Sequence, residues 1–155
     1  MDLKDYLTLT IAAAGVVAAV GTMIKGLIEY RQQGVTKRAE IFLQMRARLR
    51  QDPSFSRICG LLELDSPELR EIPLVERDRF VGFFEELALM KNSRLINDQV
   101  ALYMFGYFAI RCYKSSNFWG DLNKNQPLWS LFMDFAQQME TAQRKFKYSP
   151  QAFRL

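Results

Sequence analysis

The sequence contains no histidine, and this absence narrows the chemistry open to it. Without an imidazole, Ser-His and Cys-His nucleophilic catalysis and the zinc sites that use histidine are excluded. Cysteine is scarce as well. Cys59 and Cys112 form no CxxC motif, so we interpret them as buried, reduced thiols of a cytosolic domain. Gly82 and Gly106 stand alone in helical patterns, which is typical of close helix packing and not of a phosphate-binding loop. We expect no cofactor, no metal and no enzymatic activity.

Charged side chains are missing from one stretch near the N-terminus. The run from Tyr6 to Ile24 contains 19 uncharged residues, close to the ~20 that a helix needs to cross a hydrocarbon core. A cleaved signal peptide fits less well, because Asp2 and Asp5 stand where such a peptide carries basic residues. The run is rich in Ala, Gly and Thr, so a buried helix of a soluble protein remains an alternative. We predict one transmembrane anchor within residues 1–34 and a separate domain over 35–155.

Positive charge follows the uncharged run and is scarce before it. Because positive residues stay on the cytoplasmic side of a membrane, we expect an inner (plasma) membrane protein with its N-terminus outside and its C-terminal domain in the cytoplasm. The same side chains are candidate contacts for membrane lipids or a cytoplasmic protein, although a solvated surface is the plainer interpretation. Nucleic acid is not an expected partner, because no recognition motif accompanies the charge. The candidate residues are Lys25, Arg31, Lys37, Arg38, Arg46, Arg48 and Arg50.

Small residues recur along the uncharged run. Ala14, Ala18 and Thr22 are spaced by four, and Gly15 and Ala19 lie beside them on the same helix face. Small side chains at this spacing let two membrane helices approach closely, which favours association. The pattern also arises by chance in an alanine-rich segment. A homo-oligomer seam and incidental composition therefore both stay open.

The first half of the remaining chain shows helical periodicity, with punctuation at its prolines. Gly34 is expected to break or kink the first helix, and apolar residues then recur every three or four positions over 35–51. Asp52-Pro53 ends this pattern and begins a short helix of about 53–63. Ser66 and Pro67 repeat the same arrangement of a cap followed by a first helical residue.

The second half continues in the same way and contains no long alternation of period two. A helix is predicted over Val75–Asn92, and Asp98 is placed to cap another that runs to about Tyr113. A polar loop holding the pair Phe118-Trp119 follows, and Pro127 begins the last helix. The fold class is therefore all-α: a single N-terminal transmembrane helix followed by a compact cytoplasmic bundle of about five helices.

A family resemblance is carried by the segments "FFEELALM", "RLIND" and "FG". In their order and setting they resemble a bacterial family of membrane-anchored, all-helical domains without an established activity. The resemblance implies an anchor and a bundle, and it implies no chemistry. The matching positions are Phe83, Phe84, Glu85, Glu86, Ala88, Leu95, Ile96, Asp98, Phe105 and Gly106.

The adjacent acids Glu85 and Glu86 do not form a catalytic pair, because neighbouring residues on a helix diverge by about 100°. We expect one to be solvated and the other to bond to the basic turn at Arg94 or to a nearby amide. Two functions from different classes remain. The first is a membrane-tethered, non-catalytic protein-interaction module, which we favour. The second is a membrane-active toxin or defence effector whose anchors oligomerise and perturb the bilayer when triggered. Few hydroxyls occur in the span (Thr8, Thr10 and Thr22), too few for a conducting path.

Overall fold

The computed structural model describes residues 3–120, 122–124 and 126–146, with the side chains of 3–19, 27, 28, 30–33 and 35 outside that description. All regular elements in this part of the chain are helical. Two 3₁₀ turns (Pro67–Glu71 and Pro127–Trp129) and a π-helical segment (Leu102–Gly106) accompany the α-helices. These are α1 Leu3–Gln51, α2 Pro53–Glu63, α3 Leu74–Asn92, α4 Asp98–Ala101, α5 Tyr107–Lys114, α6 Ser116–Trp119 and α7 Ser130–Lys145. The prediction of an all-α fold is confirmed.

Helix α1 is continuous through Gly34, so the predicted break at that glycine is wrong. A single glycine costs a helix only about 1 kcal/mol relative to alanine, which is too little to end it. The Arg38 side chain also donates a hydrogen bond from Nε to the Gly34 carbonyl, at 3.1 Å. The chain divides into two compact units between Ala39 and Glu40, whereas the sequence placed the boundary between residues 34 and 35.

The transmembrane part of the predicted fold finds no support in the structure. Within the described residues, no helix is both long enough and apolar enough to cross a membrane. The predicted span, Tyr6 to Ile24, falls largely on side chains outside the described residues. The membrane anchor is therefore a proposal.

Local capping chemistry sets the starts of the helices that follow α1. Asp52 accepts hydrogen bonds from the backbone amides of Ser54 and Phe55, so α2 begins as the sequence predicts. Ser66 likewise accepts from the amide of Glu68. The cap of α4 differs from the prediction. Asn97, and not Asp98, accepts from the Val100 amide at 2.8 Å, which leaves Asp98 in the first turn.

Phenylalanine rings fill the centre of the second unit. Phe55 packs edge-to-face against Phe80 and Phe83 from α3, with ring centroids 5.4 and 5.5 Å apart. Phe84 continues the cluster towards Phe132 of α7. Such aromatic pairs prefer this geometry because the positive edge of one ring meets the negative face of the other. The core therefore joins α2, α3 and α7 through one network of rings.

The predicted polar loop begins with a short buried helical turn, whereas its described residues 120, 122–124 and 126 form turns and irregular backbone, as the sequence predicts. Phe118 and Trp119 lie in the short helix α6 and are almost fully inaccessible to solvent. The indole of Trp119 donates to the Cys112 carbonyl at 2.9 Å. Gly120 ends the turn with a positive φ of 39°, a conformation that an L side chain rarely adopts.

The π-helical segment Leu102–Gly106 lies where α7 comes close. A Cβ built on Gly106 would stand 2.8 Å from Leu102 Cδ1 and 3.6 Å from Met139 of α7. The expected close packing is therefore found at Gly106. It is absent at Gly82, where a Cβ would meet nothing within 4 Å.

Candidate functional site

The predicted oligomer seam cannot be located in this structure. The side chains of Ala14, Gly15, Ala18 and Ala19 lie outside the described residues. Thr22 is described and is exposed. The seam stays a prediction from the sequence.

The predicted family motif divides into core and surface positions. Phe83, Phe84 and Phe105 are fully buried, and Gly106 provides the close packing against α7. These four positions serve the fold. At the surface, Asp98 forms an ion pair with Lys91, with the carboxylate and ammonium 3.2 Å apart.

Glu85 and Glu86 differ in environment. Glu86 is exposed and accepts a hydrogen bond from Arg48 at 2.7 Å. Glu85 accepts a hydrogen bond from the backbone amide of Phe132 in the first turn of α7. Burial raises the pKa of Glu85, the negative charge of Asp78 adds to the shift, and the Phe132 amide opposes both. The Phe132 amide beside Glu85 agrees with the expected bond from one of the two acids to a nearby amide. The other acid, Glu86, was expected to be solvated and has Arg48 as a partner.

The predicted basic series also divides. Arg48 is held by Glu86, and its guanidinium lies 5.7 and 5.6 Å from the ring centroids of Phe55 and Phe83. Arg46 and Arg50, on the same stretch of α1, have no ion pair or hydrogen-bond partner among the described residues. Arg48 therefore stabilises the fold, and its two neighbours leave their charge available.

The other predicted basic residues lie in the first unit. Lys25 forms an exposed ion pair with Glu29 at 3.8 Å. Lys37 is exposed, and Arg38 bonds to the Gly34 carbonyl as described above. The Arg31 side chain lies outside the described residues.

One surface feature with convergent polar groups is a cleft of about 400 Å³ between α2, α5 and α7, which we call the α5 cleft. Its volume is in the range of small-ligand sites. Leucine and isoleucine side chains share it with two cations, one carboxylate and a tyrosine ring. The lining residues are Leu62, Asp65, Tyr107, Ile110, Arg111, Lys114, Ser115 and Gln143.

The charged groups of the α5 cleft already have partners within the fold. Arg111 donates from Nη1 to the carbonyls of Leu62 and Glu63, at 3.2 and 2.7 Å, and so satisfies the C-terminal end of α2. Its guanidinium also lies 4.8 Å from the ring centroid of Tyr107. Lys114 pairs with Glu140 at 2.8 Å. The Arg111 bonds brace α2 against α5, and the Lys114–Glu140 pair joins α5 to α7.

Asp65 completes this brace from a strained position. Its φ is positive, at 46°, and its carboxylate accepts hydrogen bonds from the hydroxyls of Ser115 and Ser116. Burial alone would raise the pKa of Asp65, but the bonds from Ser115, Asn117 and Ser116 outweigh it and hold the pKa below its ordinary value. This cluster was not predictable from local sequence patterns, because Asp65 and Ser115 are 50 residues apart.

The described residues offer little means for covalent or metal chemistry. They contain no group of three Cys, Asp or Glu side chains placed to hold a metal ion. Cys59 and Cys112 are buried and unpaired. Burial raises the pKa of the Cys59 thiol to about 12, with the charge of Glu63 adding to the shift. Because the thiolate is the nucleophile, Cys59 is unreactive while the protein is folded.

In comparisons with known proteins, no protein-family model, curated protein or solved structure matches the chain.

Proposed function

We propose that the protein is a non-catalytic interaction module whose bundle binds a cytoplasmic protein and whose N-terminal segment holds it at a membrane. The observation that carries the first half is the surface beside the α5 cleft. Tyr103 and Tyr107 follow one another along this stretch with 63 and 45% of their surfaces exposed. Tyrosine and arginine are enriched where proteins bind one another, and Arg111 stacks on one of these rings.

The membrane part of the proposal rests on the uncharged run and on its exposed end. Val20, Met23 and Ile24 occupy neighbouring positions on one side of α1, and between 51 and 77% of their surfaces is exposed. Apolar side chains gain free energy when they leave water, and a lipid phase would accept this face. The excess of positive charge after the run supports a cytoplasmic bundle.

Two measurements test the proposal. After carbonate extraction, we expect the full chain to remain with the membranes. A photo-crosslinking amino acid at Tyr107 should capture a protein, whereas the same group at Leu128, which is also exposed, should not. Full recovery in the soluble fraction would contradict the anchor, and equal capture from both positions would contradict the partner surface.

The alternative function is a membrane-active toxin or defence effector that assembles through its anchor. The feature that favours it is the open space at two small residues of α1, because a Cβ added to Gly21 or Gly26 would meet nothing within 4 Å. Bulky substitutions on the predicted seam, Gly15→Ile or Ala18→Leu, should then abolish crosslinked oligomers in membranes. The matched change Val17→Leu, off the seam, should preserve them. Loss of oligomer together with a toxicity phenotype would favour the effector, and loss of oligomer alone would favour the tether.

A further inference from the structure

We propose that the face of α1 formed by Leu43, Arg46 and Arg50 is a docking surface for an acidic, partly apolar protein segment. We call it the α1 arginine face. The inference rests on the proposed function, because it assigns a second contact and a chemical class to the cytoplasmic partner.

Helix geometry brings the three side chains to one side. Residues three, four and seven apart share a helix face, and 43, 46 and 50 have this spacing within α1. Met45 and Leu49, on the other side, are buried in the core. Leu43 is 57% exposed, although Met45 and Leu49 of the same stretch of α1 are buried. The face therefore presents one large apolar side chain beside two guanidinium groups.

Among the described residues, no acidic side chain pairs with the arginines of the α1 arginine face. No acidic residue occurs between Glu40 and Asp52. Glu86, the acid that reaches this stretch of α1, bonds to Arg48, and Asp52 pairs with Arg79 at 3.2 Å. Arg46 and Arg50 are left without a partner in the described part of the chain.

Charge complementarity identifies the chemistry of the occupant. A guanidinium binds a carboxylate through two parallel hydrogen bonds, and it keeps its charge at any physiological pH. Two arginines four residues apart match two carboxylates four residues apart on a facing helix, with an apolar side chain one turn beyond one of the carboxylates to meet Leu43. Anionic lipid is the weaker candidate. Lys25 and Arg31 follow the uncharged run much more closely in sequence, and lipid attraction falls off within about 10 Å of the headgroups.

The test uses the full chain in detergent micelles and a fluorescein-labelled, alanine-based helical peptide that carries Glu at i and i+4 and Leu at i+7, so that it can face Arg50, Arg46 and Leu43 in antiparallel orientation. Fluorescence polarisation should show binding that weakens as salt is added. Arg46→Gln and Arg50→Gln should each weaken binding roughly 3- to 10-fold, as expected for the loss of one charge-assisted contact at a surface. Arg57→Gln is the matched control. It removes the same charge from α2, where Arg57 is exposed and has no hydrogen-bond or ion-pair partner among the described residues.

A charge exchange separates recognition from damage to the fold. Arg50→Glu should lose the Glu peptide and gain affinity for the same peptide with Lys in place of Glu. An equal loss of affinity in the Arg57→Gln control would mean that the Glu peptide is attracted to positive charge in general. That result would overturn the proposal. The absence of any binding would overturn the proposal as well. So would binding of the protein to phosphatidylserine vesicles that depends on Arg46 and Arg50, without binding to the peptide. None of these results affects carbonate extraction, which tests the anchor independently.

Discussion

Phe84→Ala tests the aromatic core most directly. The Phe84 side chain is fully buried on α3. Its ring lies 5.2 Å, centroid to centroid, from both Phe80 and Phe83. On α7, the rings of Phe132 and Phe135 are 5.9 and 6.4 Å away. Truncation at this position therefore removes contacts along α3 and between α3 and α7 at once.

The expected cost follows from the size of the void. Truncating a buried phenylalanine to alanine destabilises a protein by about 3–5 kcal/mol. The four ring contacts place Phe84 towards the upper end of that range, because each is worth about 0.5–1.5 kcal/mol beyond area burial. With roughly 4 °C of melting temperature per kcal/mol for a domain of this size, the variant should melt about 12–20 °C lower.

Thermal and urea unfolding followed by circular dichroism at 222 nm measure this effect. Leu128→Ala is the matched control, because Leu128 is 67% exposed and its truncation should change stability by less than about 0.5 kcal/mol. A Phe84→Ala protein that melts within about 3 °C of the parent would refute the reasoning from burial. It would mean that Phe84 does not occupy a packed core in solution.

Two further predictions concern helix packing and pH. Gly82→Ala, at a site with open space, should raise stability by about 0.5–1 kcal/mol in urea unfolding, whereas Gly106→Ala should not, because its Cβ would press on Leu102. Equal gains at both sites would contradict the close contact between Gly106 and Leu102. The raised pKa of Glu85 means that the folded state holds its proton more tightly, so this contribution to stability is present at low pH and is lost as pH rises through the folded pKa. Glu85→Gln should therefore flatten the fall in stability that occurs as pH rises from the ordinary Glu pKa, about 4.3, through the raised folded pKa. Asp65, whose pKa is lowered, should act in the opposite sense: Asp65→Asn should flatten the loss of stability seen below about pH 4. Unchanged pH profiles would contradict both assignments.

Local patterns predicted the elements whose causes are local. The starts at Asp52-Pro53 and Ser66-Pro67 depend on side chains that reach amides two or three residues away, so the sequence contains the whole interaction. Helix α3 was predictable because the spacing of its apolar residues is also a local pattern. Gly34 shows the limit of such signals, because α1 overrides the weak helix propensity of one glycine.

The interactions that the sequence could not reveal join distant positions. Arg48 and Glu86 are 38 residues apart, and nothing in the spacing of the basic series marks Arg48 as the one that is internally paired. The π-helical segment depends on α7 packing against it, and helical periodicity alone does not report a partner. The α5 cleft was missed because its lining comes from α2, α5 and α7.

The buried Arg77 shows why the aromatic pair in the predicted loop is ordered. Its side chain is only 5% exposed, and its Nη1 donates to the Phe118 carbonyl at 2.9 Å. Burying a guanidinium is costly unless its donors find acceptors, and an unsatisfied carbonyl inside the core is costly as well. The bond removes part of both costs, so a cation on α3 and the backbone of α6 stabilise each other. A segment that is polar in sequence is thereby fixed against the core by its two aromatic side chains and by one buried arginine.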